Sequence, residues 1–559
     1  MAGSVVRRRS ADGWVLPPLD AAAPDYLTSG IWTRETVADV ARARVAEAPD
    51  RLIIADDTVK LSRRELYEQA VRLGEALSAR GLGPGSVVAF QLPNWHEACV
   101  ISTASALYGF VLCPLLMMYR ERELGFVLAE TGCDALFLPG AFRGFDYRGL
   151  YDRVASGLVA GPQVFSVRDP ERPQASYERL LAEPGVGAPL PDVDPESIKF
   201  VVFTSGTTGR PKGVLHSHYT AHATVLRSAR FWGLDASDHL LVPSPVGHVG
   251  GSLYAFELPW FTGASARLME AWDAAHAAEL IERHGGTFCA GATPFLQGLV
   301  QEARSRNSTL PTLRRFICGG ASVPEGLVEE ACAVFEAAVV SRAYGSSEVP
   351  LVCPGVRDRA DAAHGRTTDG EIDADVLILD GAGKPQPSGQ EGDIVVRSPS
   401  AFIGYLESED EAGQFTDDGY FRMGDMGVVV DDAYLKITGR RKELIIRLGE
   451  NISPLEIETA LLQCEAVKRV AVVGLSDPRT GERAVAFVEL HPGHRLGFAD
   501  MQAYLQAYGL AKQKFPEELC VLERLPTNSV GKVMKLDLKR LAEEDVPGAF
   551  TSREGRQRA

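Results

Sequence analysis

The sequence predicts an α/β fold in two unequal parts, and three features predict it. Apolar runs of strand length alternate with amphipathic helical stretches through much of the chain, the pattern of largely parallel sheets covered by helices. At 559 residues the chain is too long for one compact core. Past a Gly-Arg-Arg-Lys junction at Gly439 to Lys442, the last stretch of about 120 residues carries strands and helices of its own, enough for a small domain.

Each element has a local reason. Ser62-Arg63-Arg64-Glu65 is a capping-box pattern, and Leu66, Ala70, Leu73 and Leu77 follow it at helical spacing. Gly81-Leu82-Gly83-Pro84-Gly85 ends that helix, and Ser86 to Leu92 then reads as a buried strand. Phe200-Val201-Val202-Phe203 is a second buried strand. The large part closes with Gly419 to Asp425 and a hairpin pattern, Val428-Val429-Val430 followed by Asp431-Asp432. We therefore expect an N-terminal domain over 1–439 and a C-terminal domain over 440–559. In the latter a helix is expected to start with Ser453 as N-cap, Pro454 at N1 and Glu456 at N3. Thr551 to Ala559 reads as a frayed end.

Composition narrows the class. The chain is 45% hydrophobic and 24% charged, as soluble globular proteins are. A net charge of -16 with no long run of one sign repels nucleic-acid backbones and anionic membranes, so neither is expected as a main partner. An anionic substrate must be held by a local site. The nine cysteines include no C-x-x-C pair, which argues against zinc and a disulfide framework and suits a reducing cytosol. Arg7-Arg8-Arg9 is followed by no apolar segment, because Asp12, Asp20 and Asp25 interrupt it. No run of about 18 apolar residues occurs, so a cytoplasmic protein without integral membrane association is expected.

The densest chemical signal follows the strand ending at Phe203. Thr204-Ser205-Gly206-Thr207-Thr208-Gly209-Arg210-Pro211-Lys212-Gly213 brings three glycines, four hydroxyls and a lysine to the end of a core strand. Glycines let backbone N–H groups converge on phosphate oxygens, hydroxyls add donors, and Lys212 adds charge. The competing reading is a flexible Ser/Gly surface turn. The Walker A spacing is absent.

This loop resembles the signature loop of the adenylate-forming (ANL) superfamily, which comprises acyl-CoA synthetases, peptide-synthetase adenylation domains and beetle luciferases. Further segments similar to family motifs follow in order: Gly319-Gly320-Ala321, Tyr344-Gly345-Ser346-Ser347-Glu348, Tyr420 to Asp425, Gly439-Arg440-Arg441-Lys442-Glu443, and Pro526 to Lys532. They span positions 204 to 532. The resemblance implies a large multi-sheet N-terminal domain and a small, mobile α+β C-terminal domain, acting on ATP, Mg²⁺, a carboxylic acid and coenzyme A.

It also implies roles. Thr204, Ser205, Gly206, Thr207, Thr208 and Lys212 would hold the ATP phosphates, with Glu348 and Thr208 on Mg²⁺, since a hard cation wants oxygen ligands. Gly320 and Ala321 would form a flat floor under adenine, with Tyr344 and Gly345 beside it. Ser347 would bond the α-phosphate or the acid, Asp425 the ribose hydroxyls, and Arg440 ribose or phosphate. Lys532 would stabilise charge on the phosphoryl group under attack. Lys442 matches the hinge position about which the small domain turns, presenting Lys532 first and the face of Gly449, Glu450 and Asn451 second. Taken alone, these residues have plainer readings: a tight turn for Gly319-Gly320, a helix cap for Glu348, a turn carboxylate for Asp425, a solvated basic run for Arg440 with Arg441, Lys442 and Arg447, and a surface lysine for Lys532.

Pro245 to Gly251 matches the segment at the acyl pocket, with His248 at its edge. Amino-acid-activating relatives carry Asp at the position of Val249, and salicylate-type activators carry Asn. Valine offers neither, which favours an apolar acyl group because an unpaired polar group costs about 1–3 kcal/mol. Gly250 and Gly251 are read as leaving space for a ring or medium-length chain, and Gly320 is a further substrate-binding candidate. Ala292-Thr293-Pro294 departs from the usual Val-Pro-Thr of relatives. Gln91 to Glu97 and Phe142 to Tyr147 look similar to short/medium-chain fatty acyl-CoA and cyclohexanecarboxylate-CoA ligases. The expected activity is thus activation of an apolar, medium-chain or cyclic carboxylic acid as acyl-AMP, then transfer to CoA. The alternatives are transfer to the phosphopantetheine thiol of an acyl carrier protein, an aryl acid-CoA ligase, and a catalytically silent ATP-binding protein. Arg441 and Arg447 are candidates for a basic patch under the CoA 3′-phosphate.

Overall fold

The computed structural model describes Trp14, Leu16 and residues 23–185, 187–204, 210–320, 323–447, 450–528, 532–543 and 550–553. Two seven-stranded sheets build the large part. The first runs Val339–Ala343, Arg315–Gly319, Phe288–Gly291, His239–Val242, Ser265–Leu268, Leu52–Ala55 and Lys60–Ser62, parallel except for its last pair. The second runs Gly404–Tyr405, Lys212–Ser217, Ile198–Thr204, Val111–Pro114, Val87–Phe90, Ala135–Pro139 and Gln163–Val167, parallel from its third strand onward. The expected α/β class is what forms.

The helices Arg63–Ser78, His96–Tyr108 and His218–Trp232 lie in one apolar core with residues of both sheets. Burying both faces of each parallel strand explains why these strands read as continuous apolar runs. The capping box at Ser62 forms: Ser62 N–H donates to Glu65 Oε2 at 2.7 Å and Glu65 N–H to Ser62 Oγ at 3.3 Å.

A four-stranded antiparallel sheet follows, Asp375–Leu379, Gly392–Arg397, Phe421–Val430 and Tyr434–Arg440. Its last hairpin turns through Asp431 (φ +50°) and Asp432 (φ +55°), the two positive-φ positions of a type I′ turn. Beyond it stands a smaller sheet with cores drawn only from residues 445–542. There Pro454–Leu461 is helical with Ser453 as N-cap, yet the Ser453 hydroxyl does not cap it. That hydroxyl donates to Thr438 O at 2.7 Å instead, and Glu456 pairs with Lys514 at 2.7 Å. Tertiary contacts thus replace the expected capping bonds. Among the described residues no helix is long and apolar enough to cross a membrane.

Candidate functional site

The phosphate-loop candidate is the connection of an antiparallel hairpin, because Thr204 of one strand stands opposite Lys212 of the next. Ser205, Gly206, Thr207, Thr208 and Gly209 lie outside the described residues. At the hairpin's base Lys212 Nζ lies 3.4 Å from Asp410 Oδ1, 3.2 Å from Asp410 O and 4.7 Å from the Tyr405 ring centroid. Arg210 reaches Asp410 Oδ2 at 3.1 Å. Asp410 thereby holds both cations of the loop's stem.

Tyr344 to Glu348 leaves the strand Val339–Ala343 and is fixed from three sides. Tyr405 OH donates to Glu348 Oε1 at 2.8 Å, and Phe402 N–H to Glu348 O at 2.7 Å. Burial, reinforced by the carboxylate, pushes the Tyr405 phenol up, so it remains a donor. His216 Nε2 lies 2.8 Å from Ser347 O, an acceptor only, so that nitrogen carries the proton. Burial brings His216 down to about 4 and keeps it neutral. Glu348 Oε2 faces no protein donor among the described residues and is available to a cation.

The residues expected at the nucleoside lie at the ends of two strands of the first sheet and on the four-stranded sheet. Gly320 is left-handed (φ +82°), and a Cβ there would meet open space, as a flat floor requires. Gly319 and Gly345 are glycines for a different reason: a Cβ would lie 2.8 Å from Ala343 O and 2.2 Å from Pro350 O. Ala321 is outside the described residues. Asp425 stands opposite Arg440 on neighbouring strands, pairs with its Nε at 3.0 Å, and accepts from Tyr344 OH at 2.6 Å. Burial and then the Asp425 charge push the Tyr344 phenol up.

The plainer reading of 440–447 as a solvated basic run leaves out its acidic partners. Arg440 is tied to Asp425, Arg441 to Asp393, and Arg447 to Glu517 at 2.7 Å. Arg441 and Arg447, suggested for the CoA phosphate, already have acidic partners. Lys442 lies in the short turn Arg441–Glu443 that leads from the four-stranded sheet into the last one. Gly449 is outside the described residues; Glu450 and Asn451 pair along the strand Ile445–Arg447.

Lys532 is pinned by a reciprocal pair: Asn528 N–H donates to Lys532 O at 2.8 Å, and Lys532 N–H to Asn528 Oδ1 at 2.9 Å. Its ammonium is drawn down to about 8, first by burial and then by Arg440, against the opposing pull of Glu443 and Asp425. It also acts on His248, which burial and the Lys532 charge bring down to about 4. The charge of Lys532 is thus felt both by Asp425 on the four-stranded sheet and by His248 ahead of the helix Val249–Ser252.

His248 caps the short helix Val249–Ser252, its Nδ1 accepting the Gly250 N–H at 3.2 Å. Asn94 positions the segment leading into it. Its Nδ2 donates to Ser244 O at 2.9 Å, and its Oδ1 accepts Val246 N–H at 2.9 Å. Val249 is 7% exposed and belongs to the main core. The two glycines part ways. Gly250 has only His248 Nδ1, at 3.5 Å, near a built Cβ, so it does leave space, whereas a Cβ on Gly251 would lie 2.1 Å from Pro245 O. Gly251 is therefore a packing requirement, which corrects the expectation that it opens the pocket. Gly251→Ala is expected to destabilise the protein by about 1–3 kcal/mol in urea unfolding, and Gly250→Ala to leave the midpoint in place.

Sequence reasoning passed over His216, Tyr405 and Asp410, and met Asn94 only as part of a stretch similar to relatives. The one available hint was a histidine inside a buried strand.

Comparison with known proteins is consistent along the chain. The AMP-binding enzyme family matches residues 41–406, and the AMP-binding enzyme C-terminal domain matches 456–532. A medium-chain fatty-acid–CoA ligase of Escherichia coli (strain K12) is 32% identical over 523 residues, covering 92% of each chain. A salicyl-AMP ligase/salicyl-S-ArCP synthetase of Mycobacterium tuberculosis is 32% identical over 555 residues, covering 96% of each. The crystal structure of ATP-bound MatB from Rhodopseudomonas palustris superposes with a TM-score of 0.80 at 26% identity, covering 91% of this chain and 99% of that one.

Proposed function

The chain belongs to the AMP-binding enzyme family, and on that footing we propose an AMP-forming acid–thiol ligase that activates an apolar, medium-chain or cyclic carboxylic acid and passes the acyl group to coenzyme A. The observation that carries this reading is the half-buried Lys532 ammonium, whose charge acts on both Asp425 and His248.

In the first half-reaction a carboxylate oxygen attacks the α-phosphorus of ATP, and the bond to the β-phosphate breaks as pyrophosphate leaves. Lys532 offsets negative charge on the transferring group, Asp425 and Tyr344 hold the nucleoside, and Lys212 with the hairpin loop holds the departing phosphates. Glu348 and Thr208 would hold Mg²⁺, which neutralises phosphate charge when bound; one free carboxylate oxygen and a hydroxyl suit an ion that keeps most of its waters. In the second half-reaction the thiol sulfur attacks the acyl carbon and AMP leaves.

An apolar acid is supported by the core position of Val249 and by the packing of Tyr254, one turn past Gly250, on Trp232 and Phe288, with ring centroids at 6.0 and 5.7 Å. The test is pyrophosphate release across straight-chain, cyclic and aromatic acids. Medium-chain or cyclic acids are expected to lead, and a preference for amino or ortho-hydroxy acids overturns this part.

We place the domain boundary at residue 440 and the hinge at Lys442. Lys442→Pro is expected to retain one half-reaction and lose the other, because proline fixes φ where rotation needs it to change. Survival of both moves the hinge elsewhere.

A carrier-protein thiol is the second reading. It is favoured by the pairing of Arg441 and Arg447 with acids and by the relative whose name includes an aryl carrier protein. Competition between CoA and a panel of carrier proteins for the same acyl-AMP decides the acceptor.

A further inference from the structure

Three residues past Lys532, a second lysine joins an ion cluster that the proposed reaction does not use. Lys535 Nζ lies 2.6 Å from Glu443 Oε2 and 2.9 Å from Glu458 Oε1. Glu458 is fixed independently, since its Oε1 accepts Val472 N–H at 2.7 Å from the strand Val467–Asp477. Glu443 is the last residue of the turn that holds Lys442. Burial alone would lower Lys535, but Glu458 and Glu443 outweigh it and hold the ammonium charged. Glu443 also lies close enough to Lys532 for their charges to act on each other. Two lysines thus share one hinge carboxylate, and the one with two short ion pairs is not the one facing the substrate side.

Resting on the function proposed above, we propose that Lys535 is a positioning residue: by holding Glu443 against Glu458, it keeps the hinge carboxylate from capturing Lys532 and leaves that ammonium directed at the reacting phosphate. The charged and titratable groups that interact with Lys532 are Arg440 at the end of its strand, Glu443 in the turn, Asp425 on the strand paired with that of Arg440, Lys535 at the start of the following helix, and His248. Without Lys535, Arg440 and Lys532 remain as cations whose charges act on Glu443. It then draws Lys532 toward the hinge and raises its affinity for a proton. Losing the repulsion from Lys535 acts in the same direction.

The test is the titration of Lys532 in the full chain, followed by amine labelling against pH with mass-spectrometric readout, which needs no substrate. In Lys535→Met the titration is expected to move upward from about 8. Glu443→Gln is expected to move it downward, because the one acid at the turn is gone. Acid-dependent adenylate formation in Lys535→Met falls roughly 10- to 100-fold, as for a displaced catalytic group, while thioester formation from preformed acyl-AMP is unchanged and Lys535→Arg restores the wild-type titration. A Lys532 titration that stays in place or falls in Lys535→Met overturns the proposal, as does equal loss of both half-reactions. Should Lys535→Met fail to fold, Glu443→Gln decides: a downward move supports the proposal and no move overturns it. If wild type forms no adenylate while the titrations shift as stated, the functional reading fails and the positioning of Lys532 stands.

Discussion

Lys532→Ala lowers the rate of acyl-adenylate formation by roughly 10²- to 10³-fold, the usual cost of removing one preorganised charge from a developing oxyanion. The variant still converts preformed acyl-AMP to thioester, because that step breaks the acyl–phosphate bond after pyrophosphate has gone. The wild-type enzyme supplies a second signature. Burial and the neighbouring Arg440 bring Lys532 down to about 8 from the ordinary lysine range, so the ammonium is present below that pH and lost above it. Adenylation therefore falls as pH rises through about 8, and Lys532→Ala has no such limb. Separate assays of the two half-reactions across pH check both statements. Equal loss of both half-reactions removes Lys532 from the phosphoryl step.

Glu348→Gln is the second large effect. Glutamine keeps an oxygen to accept from Tyr405 OH, so the loop from Tyr344 stays tied to its neighbours, but the negative charge is gone. Adenylation is expected to fall by roughly 10²- to 10³-fold, with partial recovery at high Mg²⁺, the pattern of a carboxylate that acts through a cation on the phosphates. Thioester formation from acyl-AMP needs no pyrophosphate-bound metal and is expected to persist. Magnesium titration of pyrophosphate release in wild type and variant reads this directly. An unchanged magnesium response moves the metal site elsewhere.

What was legible in the sequence was local. The strand entering the phosphate loop, the Tyr344 to Glu348 segment, the Asp431-Asp432 turn and the Ser62 capping box are each set by residues a few positions apart, where spacing carries the information. The parts that fix those segments in space were not legible, because they act across long separations. His216 bonds Ser347 from 131 residues away, Tyr405 bonds Glu348 from 57, Asp410 holds Lys212 from 198, and Asn94 holds Ser244 from 150. Gly251 shows the opposite trap. A glycine beside a pocket reads as space, yet here the absent side chain is required by Pro245 O. At Ser453 the right residue stands at the right position, and a tertiary acceptor, Thr438 O, takes the hydrogen bond that local propensity assigns to the helix.

This chain is expected to join a carboxylate to the α-phosphate of ATP before any thiol is involved. The most direct measurement is exchange of labelled pyrophosphate into ATP in the absence of thiol. Exchange that appears only when an apolar carboxylic acid is added, and disappears in Lys532→Ala, is the predicted result. No exchange with any straight-chain, cyclic or aromatic acid, or exchange that does not depend on the acid, contradicts it.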